Sequence, residues 1–391
     1  RTNMSDGPIK IAIVAGEESG DLLGADLISA LARKTGRNIK LIGVGGAHLE
    51  ALGLKSVFNV DDIALMGLGA VLKKLPKLIL HIHRLARFIA DEKPDCLIII
   101  DSPDFTHRVA KKVRKFAPQI PIIKYIAPSV WAWRPERAKA MCSYIDHVLV
   151  VLPFEKKVMH DLQGPPATYV GHRLLTYPPL LAMERMRLRH LEEKKLAPTV
   201  VILPGSRHFE IRGLMPIFGA ALEILKKRQP AINFVLPTLP RLADSVRKLM
   251  SEWPVKVEIV VGEEAKWAAF AKADAALAAS GTVSLELALA NIPMVLGYKA
   301  DLFSKTFILP RVKVWSAALP NIIADRPVVP EYFNEFLRPG MLARQVEQLV
   351  VAGPVRQAQL DGFSLIKTTM KTSAPSGEIA SQALLKYLKL Q

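Results

Sequence analysis

Cysteine is almost missing from this chain: Cys96 and Cys142 are the only two among 391 residues. That excludes a disulfide framework and a thiolate metal cluster, and it fits a reducing compartment. No apolar run reaches the roughly eighteen residues of a membrane span; the longest candidate, 275–298, is broken by Glu286 and Pro293. Neither Gly-x-Gly-x-x-Gly nor a Walker A lysine occurs, so a reading as an NAD-dependent or NTP-hydrolysing protein has little support. His81 and His83 fall on different helix faces, and no histidine pair has metal-ligand spacing. Short internal repeats and low-complexity tracts are absent as well. Arg1-Thr-Asn-Met4 leads directly into the apolar run 9–14, so no secretory leader is expected. The residues before Met4 read as an upstream start or an added remnant.

Acidic residues are also scarce. There are 36 of them against 53 Lys and Arg, a formal charge of +17. Such an excess points to nucleic acid, an anionic membrane face or a phosphorylated substrate, or else to a plain lysine-rich surface. Half the residues are hydrophobic, as in a globular protein, and the length accommodates two or three domains with cores of their own.

The first half alternates β-branched runs with helical stretches. Strands are expected at 9–14, 40–44, 97–100, 120–126 and 147–152, which implies parallel βαβ units with right-handed crossovers. Around Gly171 the pattern loosens: Tyr177-Pro-Pro179 reads as a linker and 184–195 as a surface helix. A second alternating series follows at 200–203, 233–236, 257–260, 275–278 and 294–296. The fold class is therefore α/β, with two Rossmann-like domains facing each other across a cleft. The tail from Val355 reads as helix, with Ile379, Leu384, Leu385 and Leu388 at helical spacing. It can pack back on the first domain or exchange with another subunit.

The run Cys96-Leu-Ile-Ile-Ile-Asp101-Ser-Pro-Asp104 is a strand buried on both faces that ends in two carboxylates. Ligands of open α/β sheets bind beyond the carboxyl ends of the strands, so either acid can serve as a base, or it can cap the next helix. Three Gly/Ser/Thr-rich junctions, 16–24, 205–207 and 280–282, each open a helix and offer backbone N–H groups to an anion. Arg207 adds a guanidinium fork that suits phosphate. Glu286 sits one turn beyond Thr282 inside an apolar run and needs a partner, either ribose hydroxyls or a neighbouring cation. His172 stands at a strand end, where it is either a ligand contact or structural. Trp131 and Trp133 beside Arg134 make either a flat surface for sugar or acyl chains or a structural corner. Between residues 68 and 88, Leu68, Val71, Leu72, Leu75, Ile79, Ile82 and Leu85 keep helical spacing, with Lys73, Lys74, Lys77, Arg84 and Arg87 interleaved and Pro76 as a kink. Such a helix either lies in an anionic membrane interface or crosses over with its apolar face in the core.

In order along the chain, Ala15-Gly-Glu-Glu-Ser-Gly-Asp21, Asp101-Ser-Pro-Asp-Phe105, Ser129-Val-Trp-Ala-Trp-Arg134, Leu152-Pro-Phe-Glu155, Val170-Gly-His172, Leu203-Pro-Gly-Ser-Arg207, Ala279-Ser-Gly-Thr282 with Glu286, and Leu319-Pro-Asn321 closely resemble the lipid-A-disaccharide synthase family of inverting glycosyltransferases. The resemblance implies a glycosyltransferase-B fold, with an acceptor- and membrane-facing domain over 8–176, a UDP-sugar-binding domain over 177–354, and the helical tail 355–391. It implies a metal-free, cofactor-free condensation of UDP-2,3-diacylglucosamine with 2,3-diacylglucosamine 1-phosphate. The products are a β-1,6-linked disaccharide 1-phosphate and UDP, in lipid A biosynthesis at the cytoplasmic face of the inner membrane.

Carried onto this chain, the family's general base falls on Asp101, with Glu17 beside it in the catalytic set and Asp104 as a helix cap. Ser19, Gly20 and Asp21 are matched to the acceptor or donor sugar. Gly205, Ser206, Arg207, Glu210, Ser280, Gly281, Thr282, Glu286 and Asn321 are matched to the UDP-sugar. Leu72, Lys73, Lys74, Leu75 and Lys77 become the membrane-facing set. Two positions depart from the family pattern: Thr106-His107 follows Asp-Phe where many relatives carry Asn, and 173–179 lacks the acidic residue that often follows Gly-His. The oligomeric state is left open, with a homodimer as one option. A rival within the same fold is an epimerase or cell-wall transferase acting on a soluble UDP-sugar. A rival of another class is a nucleic-acid-binding module, for which no recognition motif is present, and no nucleic-acid partner is expected.

Overall fold

The structure, a computed structural model, describes residues 7–59, 61, 71–192, 197–301 and 304–390, with the side chains of 71–75, 190–192, 304 and 307 left out of account. The chain divides into two compact units: residues up to 173 together with 372–391, and residues 174–371. The tail is thus divided at residue 371.

In the first unit, β1 (Ile9–Ala15), β2 (Ile39–Val44), β3 (Cys96–Ile100), β4 (Ile122–Tyr125), β5 (His147–Val150) and β6 (Ala167–Tyr169) form one sheet in the order β2-β1-β3-β4-β5-β6. Every pairing is parallel. The buried run of β3 is divided by the pleat, because successive side chains point to opposite faces. Leu97 and Ile99 join the cluster that includes Ile82, Leu85 and Ile89, while Cys96, Ile98 and Ile100 join the one that includes Leu27 and Leu31. Within the tail, Ala380 and Leu384 of helix Ser376–Leu384 are fully buried in that second cluster. His147 Nδ1 lies 2.8 Å from the Tyr387 hydroxyl.

In the second unit, β7 (Thr199–Leu203), β8 (Asn233–Thr238), β9 (Glu258–Val261), β10 (Ala275–Ala279), β11 (Met294–Tyr298) and β12 (Glu331–Phe333) pair in the order β12-β11-β10-β7-β8-β9, again all parallel.

Two expectations need correction. Tyr177-Pro-Pro179 is no linker: Pro178 opens the helix Pro178–Glu192, since a proline in the first turn gives up no hydrogen bond. That helix lies on the surface as expected: Leu181, Met186 and Leu188 are exposed, while Leu180, Met183 and Arg187 form its buried face; residues 193–195 lie outside the described ones. The helix after β3 starts at Pro103 for the same reason, which puts Asp104 in its first turn rather than at its cap. No helix among the described residues is long and apolar enough to cross a membrane.

Both sheets have a topological switch point, where the strand order reverses and a crevice opens at the carboxyl ends. In the first sheet it lies between β1 and β3, and in the second between β7 and β10. These are the strands that run into Glu17, Asp101, Gly205 and Ser280.

Candidate active site

At the first switch point Ala15 pairs with Ile100, so Glu17 and Asp101 leave the sheet side by side. The Asp101 charge helps to raise the Glu17 pKa. Partial desolvation is the larger cause, and a hydrogen bond with Ser102 opposes both. The backbone at Asp101 and Ser102 is left-handed, with φ of 54° and 37°. Non-glycine residues pay for that conformation unless their surroundings fix it. Here the Asp101 carbonyl accepts from Lys124 Nζ at 2.7 Å and from Thr106 Oγ1 at 2.8 Å. Lys124 is 1% exposed, and burial drives its pKa down to about 7 against the pull of Asp101.

The neighbouring loop residues take different parts. Ser19 is exposed. Gly20 packs on β3, where an added Cβ would stand 3.1 Å from Ile100 Cγ2. Asp21 is buried, and its carboxylate accepts from the backbone N–H groups of Gly46 at 2.8 Å, His48 at 2.9 Å and Leu49 at 3.2 Å. It holds the loop after β2 against helix Glu18–Thr35.

At the second switch point a cavity of about 170 Å³ is lined by Gly205, Ser206, Glu210, Ser280, Gly281, Thr282 and Glu286, among others. The structure therefore brings together seven of the nine residues expected to bind the UDP-sugar. Gly205 has φ of 123°, and a Cβ there would stand 2.7 Å from Glu210 Cβ. Glu210 lies at the third position of helix His208–Arg228 and accepts from the backbone of Ser206 and Arg207, the reach-back of a capping box. Burial raises its pKa, and the Arg207 charge opposes the shift. Ser280 Oγ is buried without a hydrogen-bond partner and faces this cavity. Glu286 pairs with Lys266 at 2.8 Å, so the salt bridge is the partner its apolar setting required.

The other two of the nine stand outside the cavity wall. Arg207 is exposed as the N-cap of helix His208–Arg228. Asn321 is 1% exposed, and its amide is engaged within its own unit: it accepts from Val328 N at 2.8 Å and Val329 N at 2.9 Å, and donates to the Val329 carbonyl at 3.0 Å. Trp131 packs edge-on against Phe154 with ring centroids 5.1 Å apart, as in a structural corner. Burial, with Arg173 nearby, lowers the His172 pKa to about 4, so the ring is neutral. Lys77 is exposed, while the side chains of Leu72, Lys73, Lys74 and Leu75 lie outside the described residues. No cluster of three or more His, Cys, Asp or Glu among the described residues is placed to hold a metal ion.

Several contributors escape pattern reading. Lys124 was detectable only as a lysine inside an apolar strand. Lys266 also contacts Glu263 at 3.1 Å, and Glu263 accepts from Tyr177 Oη at 3.0 Å and Trp267 Nε1 at 2.8 Å. Burial alone would raise Glu263, but these donors bring it below the ordinary range. Arg241 donates to the Ser206 carbonyl at 2.6 Å, fixing the loop after β7. Nothing in spacing or composition marks these residues as a group.

Comparison with known proteins bears on this geometry. The family model described as Lipid-A-disaccharide synthetase matches residues 11–381. A lipid-A-disaccharide synthase of Nitrobacter winogradskyi is 43% identical over 384 residues, covering 97% of this chain and 96% of that protein. The corresponding protein of Bradyrhizobium diazoefficiens is 43% identical over 373 residues, with 94% of each covered. Among solved structures, UDP-GlcNAc 2-epimerase from Neisseria meningitidis, bound to UDP-GlcNAc, superposes with a TM-score of 0.62 at 13% identity, covering 98% of this chain and 100% of that one. MurG of Acinetobacter baumannii gives 0.58 at 13% identity, with the same coverage. These two likenesses show the fold, a glycosyltransferase-B-like pair of α/β units.

Proposed function

We propose that this chain, which belongs to the lipid-A-disaccharide synthase family and is a glycosyltransferase of lipid A biosynthesis, joins UDP-2,3-diacylglucosamine to 2,3-diacylglucosamine 1-phosphate by direct displacement with inversion. The acceptor 6-hydroxyl gives its proton to the Asp101 carboxylate as its oxygen forms the bond to the donor's anomeric carbon. The bond from that carbon to the diphosphate oxygen breaks, and UDP leaves with the electron pair. No metal or organic cofactor takes part. One base near the attacking oxygen suffices for this step, and groups aimed at the leaving diphosphate stabilise the charge that develops on it.

The observation that carries this reading is the meeting of Glu17 and Asp101 at the β1/β3 switch point, with the Asp101 carbonyl held by Lys124 and Thr106. Glu17, beside Asp101 with its pKa raised by partial burial and the Asp101 charge, is placed to hydrogen-bond the sugar while Asp101 accepts the proton. The UDP-sugar is read into the β7/β10 cavity. There Ser280 Oγ has an unused hydrogen-bonding capacity, the loop and helix N-termini at Gly205 and Ser280 meet the diphosphate, and Glu286 meets the ribose. Arg207, exposed beside that cavity, closes on the diphosphate when the donor is bound. Ile79 and Leu80, exposed on helix Val71–Glu92, with Lys77 beside them, support attachment to the cytoplasmic face of the inner membrane, where acylated substrates reside. Incubation with defined donor and acceptor should release UDP and the tetraacyl disaccharide 1-phosphate in equal amounts. Turnover of UDP-N-acetylglucosamine alone would instead establish a soluble-sugar enzyme of the same fold.

A further inference from the structure

The first unit holds a second, larger cavity of about 770 Å³, within the roughly 300–1,000 Å³ span of small-molecule sites. It begins at Pro103 and Asp104, directly after the Asp101–Ser102 corner, and Ile79 and Ile82 of helix Val71–Glu92 form part of its wall. Its lining includes five cations, Arg108, Lys111, Lys112, Arg134 and Arg137, against two acids, Asp104 and Glu136. One ion pair relieves this excess, Arg134 with Glu136 at 3.5 Å, between two largely exposed side chains. Arg137 donates to neutral carbonyls, those of Trp133 at 2.5 Å and Arg134 at 3.2 Å, and the Glu136 and Asp104 carboxylates offset its charge only in part. Burial and the adjacent Arg134 accordingly lower its pKa.

One polar atom in the wall is also left over. His107 Nδ1 lies 2.9 Å from the Tyr144 hydroxyl, whereas its Nε2 is buried and has no partner. Burial first, then Lys124, Lys111 and Arg137, hold this ring neutral, with a pKa of about 3. In the tautomer where Tyr144 donates to Nδ1, the ring proton sits on Nε2, which then lacks an acceptor. A buried donor left unmatched is costly, and an anion in the cavity would satisfy it.

We propose that this cavity is a phosphate site for a lipid-anchored ligand, with Arg108, Lys111 and Arg137 meeting the phosphate oxygens, His107 Nε2 donating to one of them, and the apolar anchor running toward Ile79 and Leu80. Ile79 and Leu80 are 49% and 45% exposed, so an acyl chain has apolar surface beside the cations. Arginine and lysine together with a neutral N–H are the donors a phosphate takes. Two ligands carry that chemistry: the 1-phosphate of the acceptor and the headgroup of an anionic phospholipid. The acceptor's identity rests on the function proposed above; the phosphate site does not.

The test uses full-length Arg108→Gln/Lys111→Gln, both surface positions, with Lys111→Arg as the charge-conserving control and thermal melts to confirm folding. Acceptor KM is measured in detergent micelles, with and without the acceptor's 1-phosphate. Binding is measured by co-sedimentation with phosphatidylglycerol/phosphatidylcholine vesicles. If the acceptor phosphate occupies the cavity, the double variant raises the phosphorylated acceptor's KM at least tenfold. Its kcat and donor KM stay as in the wild type, its KM for the dephosphorylated acceptor is unchanged, and Lys111→Arg behaves as wild type. If the headgroup occupies it, acceptor KM holds and vesicle binding falls several-fold. A double variant matching the wild type in both arms overturns the proposal. If the wild type forms no disaccharide at all, the function proposed above fails, while the vesicle arm still decides the phosphate site.

Discussion

Lys124 and Thr106 act on Asp101 through its carbonyl rather than its carboxylate, and this determines what substitution should do. Lys124→Met removes the stronger of two bonds that hold a left-handed aspartate. Misplacement of a catalytic group by about 1 Å can cost roughly a hundredfold in rate, so kcat should fall by one to two orders of magnitude with donor KM unchanged. Lys124→Arg should recover part of the loss; equal kcat in Lys124→Met and wild type would contradict this role. Glu155 makes a separate prediction, about stability. Burial raises its carboxyl to about 8, with the Leu152 amide opposing. The folded chain therefore keeps a proton that the unfolded chain releases near 4.5. Stability from this group is fully present below about pH 4.5 and is lost as pH rises to about 8. Glu155→Gln should flatten that decline, so its Tm should drop less than the wild-type Tm between pH 5 and pH 8. At this scale the sequence marks Asp101 and Glu286 by their apolar settings. It is silent on Lys266, Tyr177 and Arg241, whose importance arises only when distant elements converge.

Helix Val71–Glu92 divides along its length. Ile82, Leu85, Ala86 and Ile89 are buried in the core, whereas Ile79 and Leu80 face outward. Periodicity shows one amphipathic stripe and cannot show where that stripe leaves the core; the core-facing reading holds from Ile82 to Ile89. Ile79→Ser/Leu80→Ser should lower recovery on anionic vesicles several-fold without changing Tm by more than a degree or two, because neither side chain contributes to the core. The loop after β7 should behave in the opposite way. Gly205→Ala forces a left-handed residue against Glu210, and strain of that kind costs on the order of 1–3 kcal/mol. UDP affinity measured by calorimetry should fall at least tenfold, and an unchanged affinity would show that UDP does not use the cavity this loop shapes.

Over the whole molecule, the alternation of strands and helices is readable along the chain, and the loop motifs carry the family resemblance onto it. Strand order is not readable that way. The two switch points, which give Glu17, Asp101, Gly205 and Ser280 their positions, emerge only when each sheet is assembled. The return of residues 372–391 to the first unit is one of the two placements that the tail's helical spacing allows, and spacing does not choose between them. The central claim is that Asp101 takes the acceptor's proton and contributes little to holding UDP. It is tested most directly by measuring disaccharide formation and UDP binding in parallel for Asp101→Asn. The account predicts a loss of turnover of at least about a hundredfold, with a UDP dissociation constant within about twofold of wild type; removal of a general base alone accounts for roughly 10²–10⁴. Turnover near the wild-type rate would contradict it.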